Sequence, residues 1–308
     1  MLGKEISVIR PYPKIFTIGQ RYIEDIFDGE VVVEEKLDGS QFAFSNIDGE
    51  IHMRSKGAIQ YRQNPDAMFR QAVDYVSGLD LPERIVFYCE YLRVPKHNTL
   101  RYDRIPKNHL MLFGISDVSG TTFCNKNSIQ LWAERLDIEP VPCLFEGKIK
   151  SVDDLMRFLE TDSFLGGTKI EGIVVKNYEK AFLLGGQPIP FMAGKLVSEA
   201  FKEVHRSTWG RENTGKGRWD TFKEGFRTEA RWHKAIQHLA EAGKLDFAPR
   251  DIGDLIKEIQ QDILEEETDY IKDFLFKEFG QEVLRTAIVG FPDYYKKWLA
   301  DRIFEEVA

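Results

Sequence analysis

Lys36 stands at the end of an apolar run, in "VVVEEKLDGS", directly before Asp38 and Gly39. A lysine amine is a nucleophile only when neutral, so a lysine used this way needs burial or nearby positive charge to lower a pKa that is ordinarily about 10.4. The end of a strand in a cleft supplies burial, and Asp-Gly lets the chain turn sharply behind it. By itself K-x-D-G is weak, because most such tetrapeptides are exposed turns. Later segments change the reading: "VFYCEYL" carries Glu90, "LMLFGISD" carries Phe113, "IEGIVVKNY" carries Glu171 and Lys176, and "FMAGKLVSEAFKE" carries Lys195. Taken singly, a strand-end carboxylate is usually solvated and a Phe between Leu112 and Gly114 is usually core. In this order, each on an expected strand, they form a set that chance does not readily produce.

The elements that must position them are short and β-rich. Runs such as "EVVVEEKL", "QFAFSNI", "EIHMRSK", "RIVFYCEYL", "HLMLFGIS", "GIVVKNY" and "IPFMAGKLV" recur between turn signals, and "NIDGEI" sets Asp-Gly between two alternating runs as a hairpin does. After residue 220 the period becomes helical: Ile252, Leu255, Ile256, Ile259 and Ile263 follow i, i+3, i+4, i+7 spacing behind a candidate Asp251 cap, and "PDYYKKWLADRIFEE" begins in the same way. With 308 residues, 43% of them apolar and 12% aromatic, the chain can bury a large core and is expected to form two domains. No stretch approaches the roughly 18 apolar residues of a membrane helix, and the opening "MLGKEISVIRPYPK" lacks a secretory apolar block, so an intracellular protein without a membrane partner is expected. Cys89, Cys124 and Cys143 lack metal-ligand spacing and read as inert thiols.

The "EEKLDGS" and "IEGIVVK" motifs resemble the covalent nucleotidyltransferase superfamily of ATP-dependent ligases and mRNA capping enzymes, and most of all its RNA ligase 2 type. The resemblance covers roughly residues 10 to 205. It implies an α+β fold: an ATP-grasp-like nucleotidyltransferase domain of antiparallel sheets with helices over 1–205, then a small all-α domain over 206–308. It further implies that Lys36 becomes adenylated, that Arg54 in "MRSKG" is the family's motif Ia basic residue, that Glu90 holds the ribose, that Phe113 stacks on adenine, and that Glu171 lies near the divalent metal. Glu35, Asp38, Gly39 and Lys176 join the nucleotide-binding set, and Lys195 joins Lys36 and Glu171 as catalytic. Two positions depart from the pattern: Gln41 follows Ser40 where Asn is common, and a usual K-x-K pair is represented by Ala193 and Lys195. The implied cofactors are ATP and Mg²⁺ (or Mn²⁺), and the implied activity is joining of RNA 3′-hydroxyl and 5′-phosphate ends by a monomer, cytoplasmic or virus-encoded. The residue types suit that chemistry, since transfer of AMP to an amine needs cations around the phosphates, with Lys195, Lys176 and Arg54 as candidates, in surroundings positive enough to favour a neutral Lys36.

The net charge of −8 argues against general nucleic-acid affinity but conceals a local patch. Residues 206–234 carry eight Lys/Arg against four acids together with Trp209, Trp219 and Trp232, whereas residues 235–308 carry nine basic against seventeen acidic residues. Cations mixed with flat rings suit an RNA strand, with Arg211, Lys216 and Arg218 as contacts; a solvated helix face with core tryptophans is the plain alternative. DNA ligases and GTP-using capping enzymes usually continue with a β-rich OB domain, whereas the sequence after 220 reads as helices. A non-catalytic RNA-end-binding protein is the reading from another class.

Overall fold

A computed structural model describes residues 9–184, 186–198 and 215–307, with the side chains of 215–218, 221, 230, 241 and 300–307 outside that description. The chain divides into two compact units, Met1–Ile259 and Gln260–Ala308. The division expected near residue 205 falls within 199–214, outside the described residues. No described helix is long and apolar enough to cross a membrane.

In chain order the strands of the first unit are β1 (Phe16–Thr17), β2 (Val31–Lys36), β3 (Ser40–Ile47), β4 (Glu50–Ser55), β5 (Ile59–Gln60), β6 (Ile85–Tyr91), β7 (Leu110–Asp117), β8 (Glu139–Pro140), β9 (Cys143–Gly147), β10 (Gly172–Asn177), β11 (Phe182–Leu184), β12 (Gln187–Ile189) and β13 (Met192–Val197). They form a five-stranded sheet in the order β1-β13-β10-β2-β9, a six-stranded sheet in the order β5-β4-β3-β6-β7-β8, and the ribbon β11-β12. Pairing is antiparallel except between β1 and β13 and between β7 and β8. The "NIDGEI" hairpin forms as its residues dictate: Ile47 pairs with Glu50, and Asp48 (φ 55°) and Gly49 (φ 80°) both take the positive φ of a type I′ turn.

Each sheet buries one face, as period-two alternation requires. Phe42, Phe44, Phe87, Cys89, Leu110, Leu112 and Ile115 of the six-stranded sheet pack with Ala72, Val73 and Val76 of the helix Arg70–Val76 and with Ile129 and Ala133 of the helix Lys126–Arg135. Val31, Val33, Ile173, Val175 and Leu196 of the five-stranded sheet pack against Phe16, Ile23, Ile26, Leu155 and Leu159. The opposite faces carry Glu34, Lys36, Lys176 and Lys195 on one sheet and Ala43, Glu90 and Phe113 on the other. That segregation places the chemistry-bearing residues together.

Helices Gly215–Glu224, Glu229–Glu241 and Ile252–Glu266 follow, the last running across the boundary at 259/260. Asp251, expected to cap that helix, is buried and its Oδ2 instead accepts from the backbone N–H groups of Asp246 and Ala248, closing the preceding loop. Among described residues the second unit holds the helices Thr268–Ala287 and Phe291–Val307.

Candidate active site

β2 ends at Lys36 in the five-stranded sheet and β3 begins at Ser40 in the six-stranded one, so Leu37-Asp38-Gly39 is the crossing between the two sheets. Lys36 pairs across the ladder with Gly172 of β10, which brings its side chain to Glu171, and Nζ lies 2.5 Å from Glu171 Oε2. Glu90, on β6 directly opposite Gln41 of β3, approaches from the other sheet. Gly39 permits that approach: a Cβ there would stand 2.8 Å from Glu90 Cγ and 2.7 Å from the Tyr91 carbonyl oxygen. Glycine is required here by contact, and the turn uses no positive φ at this residue.

The charge environment of Lys36 differs from the expected one. Its nearest charged neighbours are carboxylates: burial pulls the amine's pKa down, but Glu171, then Glu90 and Asp38, hold it above the ordinary lysine value. Glu90 carries the complementary shift. Burial, with Glu171 and Asp38 adding negative charge, pushes its carboxyl up to about 8, while Lys36 and the Gly39 N–H pull the other way. Near neutral pH Glu90 is therefore mostly protonated, and Lys36 is a protonated amine held by Glu171. Burial likewise raises Glu171, against the pull of Lys36 and, more weakly, Lys195.

The expected cations are placed unequally around this cluster. Lys195 pairs with Val174 of β10, which also pairs with Glu34 of β2, so its side chain shares the sheet face of Lys36. Lys176, opposite Ala193, is buried: Nζ lies 2.6 Å from Glu34 Oε2 and donates to the Phe113 carbonyl at 2.7 Å, with the Phe113 and Tyr12 ring centroids 5.7 and 5.8 Å away. Its ammonium thus lies between the Glu34 carboxylate and the Phe113 and Tyr12 rings. Lys180, four residues beyond Lys176, pairs instead with Asp28 at 3.3 Å. Arg54 donates to the carbonyls of Ile9, Ser55 and Lys56, so its guanidinium straps the chain at residue 9. Glu35 points to the opposite face of β2 from Lys36, as alternation demands; its carboxylate accepts from Ser163 Oγ at 2.5 Å and the Phe164 N–H at 3.1 Å, holding the loop before Glu171.

Phe113 is the extra residue of a β-bulge. Tyr88 pairs with Gly114 and Cys89 with Leu112, leaving Phe113 outside the ladder; its ring lies on the sheet face opposite core-facing Leu112, beside Tyr12 and Tyr88, and its carbonyl accepts from Lys176. Tyr12 packs edge-on against it, with ring centroids 4.9 Å apart, and lies so close over Gly114 that a Cβ there would be 2.5 Å from the Tyr12 ring. Sequence reasoning misses Tyr12, because "RPYPKIF" gives no periodic signal that would single it out. The same holds for His97, Asn98 and Tyr102, which surround Asp38 and Ser40 from a polar loop.

Among described residues no group of three or more His, Cys, Asp or Glu converges as a metal cage. A hydrated Mg²⁺ needs only one or two carboxylates, and Glu171, half-buried beside Lys36, is the donor that fits. Of the expected RNA contacts, Arg211 lies outside the described residues; Lys216 and Arg218 lie on the helix Gly215–Glu224 with their side chains outside the description. Trp219 on that helix stacks with Phe222 at 5.6 Å under the Lys223 ammonium.

Solved structures similar to this chain include substituted forms of Naegleria gruberi RNA ligase. One with ATP and Mn is 18% identical with a TM-score of 0.49, and a second with ATP and Mn is 17% identical with a TM-score of 0.46; each match covers 64% of this chain and 59% of that one. A third, with AMP and Mn, is 17% identical with a TM-score of 0.46, covering 65% of this chain and 61% of that one. The chain thus spans about three fifths of the length of those ligases. No curated protein matches it. The family model described as RNA ligase matches residues 29–187, about half of the chain, from just before the Lys36 strand to beyond Lys176. By that match over the sheets that carry the cluster, the chain belongs to the RNA ligase family.

Proposed function

We propose that this protein is an ATP-dependent RNA ligase in which Lys36 carries AMP. The observation that supports this most directly is the Lys36–Glu171 contact at the crossing between the sheets, with Glu90 opposite and the bulged Phe113 ring on the same cleft face. Phe113 stacks on the adenine, Lys176 fixes the position of that ring through its carbonyl, and Glu90, protonated near neutral pH, donates to a ribose hydroxyl oxygen. Lys36 first gives one ammonium proton along its hydrogen bond to Glu171 Oε2; the neutral Nζ then attacks the α-phosphorus in line, the Nζ–P bond forms as the bond to pyrophosphate breaks, and the second proton passes from Nζ to the departing pyrophosphate. Lys195 stabilises the charge that gathers on the phosphates. A divalent ion, held by Glu171 through its hydration shell, would supply further neutralisation of the α-phosphate and the departing pyrophosphate.

AMP then passes from Lys36 to an RNA 5′-phosphate, and a 3′-hydroxyl displaces it to form the phosphodiester. One cleft serves the three steps because each is attack at phosphorus beside the same cations. In this reading residues 1–205 form the adenylyltransferase module, and the helical part from 206, through Arg211, Lys216 and Arg218, holds the RNA. Helices throughout 215–307, where DNA ligases and capping enzymes usually carry a β-rich OB domain, support RNA ligation over those relatives. Incubation with α-labelled ATP and no RNA tests the reading: a covalent adduct mapped to Lys36 is expected, labelling from GTP in preference would point to capping, and no adduct with either would leave only RNA-end binding.

A further inference from the structure

Lys36 lies at the last position of β2, where ladder hydrogen bonds stop constraining the chain, and the next three residues cross to another sheet. The direction of its amine therefore depends on what fixes residues 37–40. The segment 93–102 meets the backbone N–H, carbonyl and carboxylate of Asp38 and the carbonyl of Gly39. The Asp38 N–H donates to Tyr102 Oη at 2.9 Å. Asp38 Oδ2 accepts from the backbone N–H groups of Thr99 and Leu100, each at 2.7 Å. Asn98 Nδ2 donates to the carbonyls of Asp38 at 3.3 Å and Gly39 at 2.9 Å. That pairing sets the amide's orientation, since a flipped Asn98 would turn its oxygen onto two carbonyl oxygens.

His97 completes the clasp. Its Nδ1 accepts the Arg93 backbone N–H at 3.0 Å, so in the neutral ring the proton sits on Nε2, which donates to Ser40 Oγ at 2.9 Å. Gln237, on the helix Glu229–Glu241, donates to the same Ser40 oxygen. Apolar contacts hold the remainder: Leu37 is buried in a cluster with Leu92, Tyr102, Met111 and Leu165, and Leu100 packs against it. The loop is itself pinned, with the Tyr102 N–H donating to the Pro95 carbonyl and the Asp103 N–H to the Leu165 carbonyl.

We propose that segment 93–102 is the positioning element for the Lys36 nucleophile, with His97, Asn98 and Tyr102 as its working side chains; this rests on the ligase reading above. None of the three touches the amine. They fix the crossing that sets where Nζ on one sheet stands relative to Glu90 on the other. In-line attack tolerates displacement of its reacting atoms poorly, and an error near 1 Å can cost about a hundredfold in rate. Loosening the clasp therefore slows Lys36 attack while ATP, held by Phe113 and the phosphate cations, still binds.

The test is single-turnover formation of lysyl-AMP from labelled ATP by Asn98→Ala, Tyr102→Phe, His97→Ala and His97→Gln, beside sealing of a pre-adenylylated RNA end, which needs no attack by Lys36. Expected is a tenfold or greater fall in the maximal adenylation rate for Asn98→Ala, Tyr102→Phe and His97→Ala, with the half-saturating ATP concentration within about twofold. Sealing of the pre-adenylylated end should change less than threefold. His97→Gln, whose amide nitrogen can replace Nε2 as donor to Ser40, should keep most of the rate. Unchanged adenylation in Asn98→Ala and Tyr102→Phe overturns the proposal, as does an equal loss of adenylation and sealing accompanied by a fall in Tm, which is the signature of a merely structural loop. If the unsubstituted protein forms no lysyl-AMP, the ligase reading fails and this inference fails with it; an active parent with unaffected variants removes this inference alone.

Discussion

Lys36 Nζ and Glu171 Oε2, 135 residues apart in the chain, lie 2.5 Å apart, and that contact sets the charge state of the nucleophile. Because Glu171 is the largest influence holding the Lys36 pKa up, the amine is protonated before substrate arrives. The stabilisation from the raised pKa is present below the unfolded-state value near 10.4 and is lost as pH rises through the folded-state value.

Glu171→Gln should therefore lower the Lys36 pKa, so that labelling of its amine by an acylating reagent, followed by mass spectrometry, shifts to lower pH. Lysyl-AMP formation should nevertheless fall by roughly 10²–10³, the usual loss when a preorganised electrostatic partner of the reacting groups is removed. A pH profile of Lys36 labelling that does not move would mean that the contact does not control the amine.

Glu90→Gln should report a linkage of the same sign in a lower pH window. A carboxyl raised to about 8 stabilises the fold below its unfolded pKa of about 4.3, and that contribution is lost as pH rises toward 8. Relative to the parent, Glu90→Gln should be more stable at pH 9 than at pH 5 in urea titrations. Equal differences at both pH values would place the Glu90 carboxyl in the ordinary range.

Phe113→Ala should weaken ATP binding by roughly 1–3 kcal/mol, the worth of one base–aromatic stack, while Phe113→Tyr stays near normal. The ring lies outside the ladder on the face opposite the Leu112 core, so calorimetric ATP affinity should fall more than Tm does. Lost Tm with unaltered affinity would make Phe113 a packing residue.

Lys176→Met leaves Glu34 buried without its partner, and unfolding free energy should drop by about 3–5 kcal/mol. The Glu34→Gln, Lys176→Met pair should recover much of that loss, because no charge then remains unpaired. Additive losses in the double-mutant cycle would show that the two do not act as one unit.

Neutralising Arg211, Lys216 and Arg218 together should leave lysyl-AMP formation near the parental rate while sealing falls. The slope of log K against log salt for RNA binding should shrink by about 0.7 to 0.9 for each phosphate that the protein no longer neutralises. An unchanged slope would make this stretch an ordinary solvated surface.

Much of this was present in the one-dimensional pattern. The β-rich runs "VVVEEKL", "QFAFSNI" and "GIVVKNY" between turn signals marked β2, β3 and β10, Asp48-Gly49 specified its own turn, and the i, i+3, i+4 spacing from Ile252 marked a helix. These are local properties, carried by propensity and period, so neighbouring residues suffice to read them. The resemblance of "EEKLDGS" and "IEGIVVK" then named Lys36, Glu90, Phe113, Glu171 and Lys195 without any geometry.

Tertiary structure decided what these side chains face. The bulge that frees the Phe113 carbonyl is set by the register of β7 against β6, and the burial of Lys176 by its meeting with Glu34 on a neighbouring strand. Glu35 went to the 163–164 loop, Arg54 to Ile9, and a carboxylate-rich setting replaced the cationic one expected around Lys36. The clasp of 93–102 on Asp38 joins groups about sixty residues apart, and its polar residues carry no period. Partners at such separation are chosen by packing between sheets, where one residue of register or one bulge redirects a side chain to the other face. The sequence supplied the reacting groups and the strands that bear them; the pairing of those strands supplied their charge states and their aim.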